Sequence, residues 1–315
     1  MQTQYLPKNL TKLLEEKLKL LNSKRPLSKS LVQRIRERFE VEMTYNSNAI
    51  EGNSLTLKET FWVISEGITI KGKPLKDHLE AKNHKEALDF LYELIEYKDN
   101  QTISELLVKN IHSLVIQDID KNISGKYREV DVFITGSEHK PPSHLDVPGL
   151  MHGLIKWASE NINKMHVVEF SAFFHHKFVN IHPFTDGNGR TARLLMNIFL
   201  MQKGYPLTII LKNDRKKYYR VLEEADFGKY REYIIFIGQS VLRSLNLYLE
   251  SVLSSNEKQI LLPLRQLAKH SKYSYEYLRK LARTGKIDSH KDKRNWLSSL
   301  EAIKNYEKES IKNKK

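Results

Sequence analysis

The amino-acid sequence predicts a mainly α-helical protein that carries one short β-hairpin and a small basic module at its C-terminus. Three patterns predict this fold class. Long segments repeat apolar residues at helical spacing, one segment between them alternates apolar and polar residues, and the last fifth of the chain is strongly basic. With 315 residues, 40% of them hydrophobic, the chain is long enough for two to three domains.

The first helical pattern covers residues 30–45 and ends near Gly52. Its apolar residues share one helical face, and they are Val32, Ile35, Phe39 and Met43. Residues 78–97 repeat this spacing and predict a second amphipathic helix.

Residues 127–142 show a different pattern, which predicts a short β-hairpin between helices. Glycine, serine and proline residues bracket the run. Its apolar and polar residues alternate, with Val130, Val132 and Ile134 on one side and Asp131, Phe133 and Thr135 on the other.

Helical spacing returns in four later segments, which cover residues 146–162, 165–181, 190–204 and 214–253. Pro183 cannot continue the second of these helices and disfavours helical geometry at His182. Residues 180–197, "NIHPFTDGNGRTARLLMN", therefore predict a helix, a loop and a second, largely apolar helix.

The amino-acid composition limits the cellular compartment and the kinds of partner that we expect. The chain has no cysteine, which excludes disulfides and thiolate zinc sites and favours a reducing, cytoplasmic location. We expect no membrane partner, because the N-terminus has no apolar signal core and no run approaches the roughly 18 apolar residues of a membrane span. The net charge is +14, and residues 256–315 contribute +9 of it, from 16 Lys and Arg against 7 Asp and Glu.

The loop over residues 182–193 has the composition of a phosphate site. Gly187 and Gly189 let the backbone approach a ligand, and their N–H groups attract an anion together with the start of the following helix. Arg190 and Arg193 lie three residues apart, so both can reach the same anion with planar, multi-donor groups.

Two further residues of the loop fit phosphate chemistry. Asp186 offers a hard oxygen ligand beside the phosphates, which suggests Mg²⁺. His182 can take a proton from an attacking hydroxyl, a contribution of roughly 10²–10⁴ in rate. Taken singly, each of these features also fits a structural role, and we interpret the adjacent His175 and His176 as core groups. The chain has no GxxxxGK[ST], HExxH or GxSxG motif that would support another chemistry.

The whole string resembles the signature of the Fic family, HPFx[DE]GNGRxxR, without a mismatch. The matching residues are His182, Pro183, Phe184, Asp186, Gly187, Asn188, Gly189, Arg190 and Arg193. The resemblance implies an all-α core that transfers AMP from ATP to a Tyr, Thr or Ser hydroxyl of a target protein or of itself, with release of pyrophosphate.

The resemblance also implies a role for each residue. His182 is the general base and Asp186 holds Mg²⁺. The expected nucleotide-binding residues are Phe184, which packs inward to set the loop, Asp186, Gly187, Asn188 on the α-phosphate, Gly189, Arg190, Arg193, and Tyr219 in the adenine pocket. Asp226 stands where many relatives carry Asn. The hairpin over residues 127–142 is similar to the Fic flap, which binds the target chain by strand pairing.

Residues 47–52, "SNAIEG", are similar to the inhibitory motif of the family, [ST]xxxE[GN]. On their own they indicate only a helix end with Ser47 and Glu51 on one face. The resemblance implies that Glu51 pairs with Arg193, which should bind the γ-phosphate, and so prevents productive binding of ATP. We expect Ser47 to help position the carboxylate. The same carboxylate could instead orient a water for removing AMP from a target, and the sequence leaves both uses open.

The basic tail, residues 256–315, resembles the winged helix-turn-helix of excisionase and MerR-like proteins. The pattern predicts a short first helix, a second helix capped by Ser274 and stopped by Gly285, a hairpin over residues 287–297, and a last helix capped by Ser299. The residues expected to contact DNA are Arg279, Lys280, Arg283 and Lys286. A solvated basic helix hairpin or a protein-docking module is the alternative.

We therefore expect three parts: an N-terminal helical region with the inhibitory motif (1–95), a Fic core with flap and catalytic loop (96–255), and the winged helix-turn-helix module (256–315).

Two other functions stay open, a DNA-binding regulator whose Fic part senses nucleotide and a Fic enzyme of different chemistry, such as a phosphotransferase toxin. The complete motif favours AMP transfer over both. The target, the partner that relieves inhibition and the oligomeric state are left open, with a homodimer among the choices.

Overall fold

The computed structural model describes residues 5–97, 103–134, 138–254, 257–292 and 294–312. Most of these residues are helical, as the apolar spacing predicts, and the strands of the described part all follow residue 261. Each described helix is too short or too polar to cross a lipid bilayer.

Ten α-helices precede the C-terminal module in the described residues. They are α1 (Lys8–Ser23), α2 (Lys29–Ile50), α3 (Leu57–Ser65), α4 (Leu75–Tyr97), α5 (Glu105–Ile116), α6 (Val147–Asn161), α7 (Val167–Ile181), α8 (Asn188–Gln202), α9 (Arg215–Asp226) and α10 (Tyr230–Val252). The helices expected from spacing are confirmed, although the stretch 214–253 is two helices that part at Gly228, where φ is +79°. The sequence analysis did not assign α1, α3 or α5.

The centre of the core is the pair α7 and α8. Every residue of α8 from Arg190 to Leu200 is buried. Phe170 and Phe174 of α7 make edge-to-face contacts with Phe199 of α8, with ring centroids 4.9 and 4.8 Å apart. A helix that is buried all round must be enclosed by other elements, and α2, α4 and α5 pack around α8. This enclosure holds the loop between α7 and α8 in place.

The segment of residues 127–142, expected as a β-hairpin, forms no strand over its described residues, 127–134 and 138–142; residues 135–137 lie outside them. The hairpin prediction is therefore wrong for the described residues. Val130 and Phe133 are 59% and 86% exposed, so the alternating pattern has no buried face that would set a strand register. An isolated two-stranded hairpin is at most marginally stable in water.

The C-terminal module contains β1 (Leu262–Pro263), α11 (Leu264–Ala268), α12 (Tyr275–Arg283), β2 (Ser289–Asp292), β3 (Asn295–Ser298) and α13 (Leu300–Lys312). The expected caps are formed, because Ser274 and Ser299 accept hydrogen bonds from the N–H groups of Tyr277 and Ala302. β2 and β3 pair as the expected hairpin, and β1, which the sequence analysis did not assign, completes an antiparallel sheet in the order β1-β3-β2. A separate apolar cluster gives the module its own core.

The module packs against α1 and α10. The side chain of Gln239 on α10 donates a hydrogen bond to the carbonyl of Ala282 on α12 at 2.5 Å. Gly285, which follows α12 with a φ of +67°, lies against α1 so closely that an added Cβ would be 2.9 Å from the Cβ of Leu10. The end of α12 is therefore fitted to the core.

We expect Gly285→Ala to destabilise the protein for two reasons. A left-handed backbone costs a residue with a Cβ about 1–2 kcal/mol, and the added methyl group would overpack the contact with α1 at a cost of about 1–3 kcal/mol. Gly228→Ala is the matched control, because Gly228 has a φ of +79° but nothing within 4 Å of an added Cβ. Urea unfolding should show the larger loss for Gly285→Ala, and equal losses would contradict the close packing.

Candidate active site

The loop between α7 and α8 has an unusual backbone. His182 adopts a left-handed conformation, with φ of 50° and ψ of 58°, while its N–H still donates to the carbonyl of Phe178 at 3.0 Å. A left-handed histidine is uncommon and persists only where its surroundings hold it. Gly187 has a φ of 77°, and a Cβ there would lie 3.0 Å from Ile116. Glycine is therefore required at Gly187 by both conformation and space.

Phe184 packs against α5 and fixes this loop to the core. It is fully buried, and its ring stacks on the imidazole of His112 from α5 with the ring centroids 3.6 Å apart. His112 in turn hydrogen-bonds the carbonyl of Asp186 through Nε2 at 2.9 Å. The expectation that Phe184 packs inward is confirmed. The buried side chain supports the loop, and the expected place of Phe184 among the nucleotide-binding residues stays a prediction.

The side chain of Asn188 clamps the same loop. Its Oδ1 accepts from the N–H of Phe184 at 2.9 Å, and its Nδ2 donates to the carbonyl of Phe184 at 2.7 Å. Both side-chain groups therefore hold the loop, a role that no sequence motif indicates. The expected contact of Asn188 with the α-phosphate stays a prediction.

The imidazole of His182 is neutral at pH 7. Burial lowers the pKa of His182 to about 4. Its Nδ1 is buried and has no aligned hydrogen-bond partner among the described residues. Because Nδ1 is buried, Nε2 is the nitrogen of the neutral imidazole that can accept a proton, as a general base must.

Arg128, which no sequence motif marks, ties His182 to the expected flap. Its guanidinium is buried and donates from Nε to the carbonyl of His182 at 2.9 Å. The same group donates from Nη1 to the carbonyl of Val130 at 3.1 Å and from Nη2 to that of Pro142 at 2.5 Å. One side chain therefore holds both ends of the flap segment against the catalytic loop.

Arg190 and Asp186 form a charged cluster at the start of α8. Arg190 is buried and donates from Nη2 to Oδ1 of Asp186 at 3.2 Å, while its Nη1 lies 3.2 Å from Glu80 of α4 without an aligned hydrogen bond. The ammonium of Lys76 lies 3.6 Å from Asp186 and 3.8 Å from Glu80. Burial raises the pKa of Asp186, but the nearby cations and the N–H of Gly187 outweigh it, and the net pKa is below the ordinary value.

Arg193, one turn further along α8, is buried and bound by α2. Its Nη2 donates to Oε1 of Glu51 at 2.8 Å and to the carbonyl of Ser47 at 2.8 Å, and its Nε donates to Oγ of Ser47 at 2.9 Å. The predicted contact between Glu51 and Arg193 is therefore formed. Ser47, expected to position the carboxylate, binds the guanidinium directly instead. The Nη1 of Arg193 is buried without a partner among the described residues.

The carboxylate of Glu51 also lies against the first turn of α8. A Cβ on Gly189 would come within 2.2 Å of Oε1 of Glu51, so any side chain at Gly189 would displace the carboxylate. Anions are stabilised at helix N-termini by the N–H groups and the helix dipole. The carboxylate thus occupies the position at which the sequence analysis expects a phosphate, and its side chain is still 31% exposed to solvent.

α9 contacts the turn of α2 that presents Glu51. Nε of Arg215 donates to the carbonyl of Ile50 at 2.6 Å, and the hydroxyl of Tyr219 donates to the same oxygen at 3.4 Å. The guanidinium of Arg215 lies 5.0 Å from the ring centroid of Tyr219. The structure therefore places Tyr219, expected in the adenine pocket, next to the turn that carries Glu51. No motif marks Arg215 in the sequence.

The adjacent histidines of α7 have structural contacts, as interpreted from the sequence. His175 is buried and hydrogen-bonds the hydroxyls of Tyr218 and Tyr233 at 3.0 and 2.8 Å. His176 hydrogen-bonds Asp226 at 2.9 Å. Asp226 therefore ties the end of α9 to α7.

The Mg²⁺ implied by the Fic resemblance fits one residue of the site. Asp186 is an ionised carboxylate at the opening of α8, and its side chain is 44% exposed. The described residues contain no group of three or more His, Cys, Asp or Glu that could hold a metal ion. Because Mg²⁺ commonly binds through one or two carboxylates plus substrate phosphates, Asp186 fits a metal that binds together with a polyphosphate.

Comparison with known proteins agrees with this site. The model of the Fic/DOC family matches residues 102–200, which contain the loop and its flanking helices. The protein adenylyltransferase Fic of Nematostella vectensis is 39% identical over 209 residues, which are 66% of this chain and 48% of that protein. The protein of the same name from Drosophila persimilis is 36% identical over 242 residues, 75% of this chain and 47% of that protein. The chain thus spans about half the length of the curated relatives it matches.

Solved structures show the same fold. A Fic domain-containing signaling protein from Bacteroides thetaiotaomicron has a TM-score of 0.71 and 28% identity, over 78% of this chain and 97% of that chain. A variant of Fic-1 from C. elegans has a TM-score of 0.67 and 30% identity, over 76% of this chain and 72% of that chain. Fold and loop together define a helical protein of the Fic type. The chain belongs to the Fic/DOC family.

We expect Asn188→Ala to destabilise the protein by about 2–4 kcal/mol, because it leaves the buried N–H and carbonyl of Phe184 unpaired. Thr185→Ala is the control, since Thr185 is an exposed residue of the same loop. Urea unfolding measures both. A loss below that of Thr185→Ala would show that the loop does not depend on the clamp.

Proposed function

We propose that this protein is an autoinhibited adenylyltransferase that transfers AMP from ATP to a Tyr, Thr or Ser hydroxyl of a target protein or of itself. The observation that carries the proposal is the buried contact of Arg193 with Glu51 and Ser47 beside a complete phosphate-type loop. Burying a guanidinium is unfavourable unless an anion compensates it, and here a carboxylate stands where a phosphate would bind. The names of the relatives support the same reaction class.

In the proposed reaction, His182 accepts the proton of the target hydroxyl while the hydroxyl oxygen attacks the α-phosphorus of ATP and pyrophosphate leaves. Such transfers depend on positioning and on stabilisation of phosphate charge. The N–H groups of residues 187–189 bind phosphate oxygens, and Arg190 and Arg193 neutralise the developing charge.

Asp186 is the residue that would hold Mg²⁺, which when bound supplies positive charge at the phosphates. In the structure, Arg190 and Lys76 compensate the charge of this carboxylate. The exposed fraction of Asp186 leaves one side of the carboxylate open to such a ligand.

In this proposal, inhibition arises because the carboxylate of Glu51 and the γ-phosphate of ATP compete for the guanidinium of Arg193. The γ-phosphate needs Arg193, which Glu51 already holds, and it would meet a like charge above Gly189. An ATP molecule that lacks this contact is not aligned for in-line attack. Glu51 has a second proposed use. The same carboxylate would orient a water molecule that removes AMP from a target.

The target chain would dock along the flap. Val130 and Phe133 offer exposed apolar side chains, and the backbone of residues 131–134 has no ladder partner in the described part of the chain. Such a segment can pair with an extended peptide. Arg128 then fixes the distance between the flap base and His182.

Three further expectations stay predictions: a cytoplasmic location, a homodimer, and DNA binding by residues 256–315. A nucleotide-sensing regulator is the alternative function. The complete motif, His182 above all, favours the enzyme.

We expect Glu51→Gly to raise the rate of self-modification by about 10- to 150-fold, because a charge-assisted hydrogen bond contributes about 1.5–3 kcal/mol. Labelled ATP and mass spectrometry measure which residues gain AMP. Ser47→Ala should activate less, since it removes one hydrogen bond to Arg193 and leaves the carboxylate in place.

The double variant Glu51→Gly/Arg193→Ala is the control for this experiment. It should lose the gain, because the released arginine is the group that the γ-phosphate needs. If Glu51→Gly modifies itself and candidate targets no faster than the wild type, residues 47–52 are only a helix end and the autoinhibition is refuted.

The rate of self-modification by Glu51→Gly should stay nearly constant from pH 8 down to about 5.5. Burial lowers the pKa of His182 to about 4, so the neutral base dominates over this range and is lost only as the pH falls through about 4. A histidine at its ordinary pKa, about 6.5, would lose roughly 90% of the neutral form by pH 5.5. Single-turnover rates measure the profile, and circular dichroism verifies folding at each pH.

His182→Ala tests the same assignment by removing the base. It should abolish transfer while leaving folding and ATP binding nearly intact, because the imidazole acts on the incoming hydroxyl. Transfer within a few-fold of the parent enzyme would contradict the role of His182. Asp186→Ala should lose activity and metal dependence together.

A further inference from the structure

A second basic site lies between the Fic core and the C-terminal module. A cleft of about 910 Å³ opens between α9 and α10 on one side and α11, α12 and the β2–β3 hairpin on the other. Nine of the nineteen described residues that line it are Lys or Arg, and two are acidic. The volume is within the range of small-molecule sites, roughly 300–1,000 Å³.

Five of the nine cations have no acidic partner within ion-pair distance among the described residues, whereas Arg220, Arg243, Arg279 and Lys291 each have one. Lys217, Arg265 and Arg283 have no acidic partner within ion-pair distance among the described residues, and Arg279 has only Glu276 of its own helix, at 3.7 Å. Burial lowers the pKa of Lys217. Like charges gathered in a partly desolvated cleft repel one another, so an anion bound there would stabilise the arrangement.

Arg243 of α10 supplies an unused donor within the lining. It is only 7% exposed, and its Nη1 is buried without a hydrogen-bond partner among the described residues. Its Nε donates to the carbonyl of Lys291 at 3.1 Å, and its Nη2 donates to Glu42 of α2 at 3.2 Å. A buried guanidinium with a free N–H is a group that a phosphate or carboxylate oxygen would satisfy.

Aromatic rings lie among these cations. Phe236, Tyr275 and Trp296 line the cleft. The ammonium of Lys217 is 5.2 Å from the ring centroid of Phe236, and the guanidinium of Arg265 is 5.2 Å from that of Tyr275. Rings beside phosphate-binding cations are typical of sites that stack a nucleobase.

We propose that this cleft binds a small polyphosphorylated nucleotide and that the bound ligand weakens the contacts between the core and α2, the helix that precedes Glu51. Duplex DNA is the less favoured ligand. Arg279 and Arg283 of α12 face α9 across the cleft, so a duplex would have to separate the module from the core before α12 could enter its groove.

The link to inhibition, which rests on the proposed function, runs through three contacts with α2. Beside the pair Arg243–Glu42, the N–H of Lys212 donates to Oδ1 of Asn46 at 2.8 Å, and Arg215 donates to the carbonyl of Ile50 at 2.6 Å. Arg215 and the turn that contains Lys212 adjoin the lining residues of α9. A ligand that draws Arg243 and α9 towards itself favours the state in which these contacts are weaker.

Isothermal titration with inorganic tripolyphosphate tests the site without any catalytic step. The matched pair is Arg279→Glu and Lys280→Glu, because both residues are exposed neighbours on α12 and only Arg279 lines the cleft. We expect Arg279→Glu to weaken binding by about tenfold or more, the effect of one lost charge-assisted contact, and Lys280→Glu to change it by less than about twofold. Equal effects of the two variants, or loss of binding only in Arg193→Ala, would overturn the site.

Two further measurements complete the test. Binding of a 20-base-pair duplex that is tighter than that of tripolyphosphate and equally sensitive to both variants would replace the nucleotide site by a DNA site. Hydrogen exchange of residues 47–51 should rise when tripolyphosphate binds to the wild type and not to Arg279→Glu. Binding without this rise would overturn the regulatory role, and because no ATP is present, neither result depends on AMP transfer.

Discussion

The buried guanidinium of Arg193 is the constraint on which the rest of the site depends. A charge enclosed by α8 and its neighbours is tolerated only if anions and carbonyl groups compensate it. Glu51 and Ser47 provide that compensation from α2, a helix about 140 residues earlier in the chain. The contact therefore joins the N-terminal region to the core and, in the proposed function, blocks the γ-phosphate. In the proposed function, inhibition and compensation of the buried charge are therefore one interaction.

The loop beneath this contact is held by buried side chains. The amide of Asn188, the ring of Phe184 and the imidazole of His112 keep the loop backbone in one conformation. The N–H of Gly187 also donates to Oδ1 of Asp186 at 2.6 Å. The family signature thus contains residues whose side chains shape the loop, and only the contacts of each side chain identify them.

α9 connects this site to the C-terminal module. Arg215 and Tyr219 contact Ile50, the residue before Glu51, whereas Lys217 of the same helix lines the basic cleft. A helix moves largely as a unit, so a change at one of these positions reaches the other through a short path. The core and the module also share the close contact of Gly285 with α1. The module therefore packs on the core through α1 and α10 and is not an independent appendage.

Local patterns in the sequence indicated most of the longer helices, the serine caps of the C-terminal module and the composition of the loop between α7 and α8, but not α1, α3 or α5. Apolar spacing defines a buried face, and the complete motif with residues 47–52 indicated that Glu51 meets Arg193. The flap prediction was wrong over its described residues because alternation specifies a strand only when one face is buried, and Val130 of the apolar side is 59% exposed. Arg128, Arg215 and Arg243 could not be found from the sequence. Their partners are carbonyl groups and side chains distant in the chain, which leave no local pattern. Tertiary packing alone decided that Phe184 supports the loop, that Ser47 binds Arg193 directly, and that Arg279 and Arg283 face the core, because each depends on which surfaces the folded helices bring together.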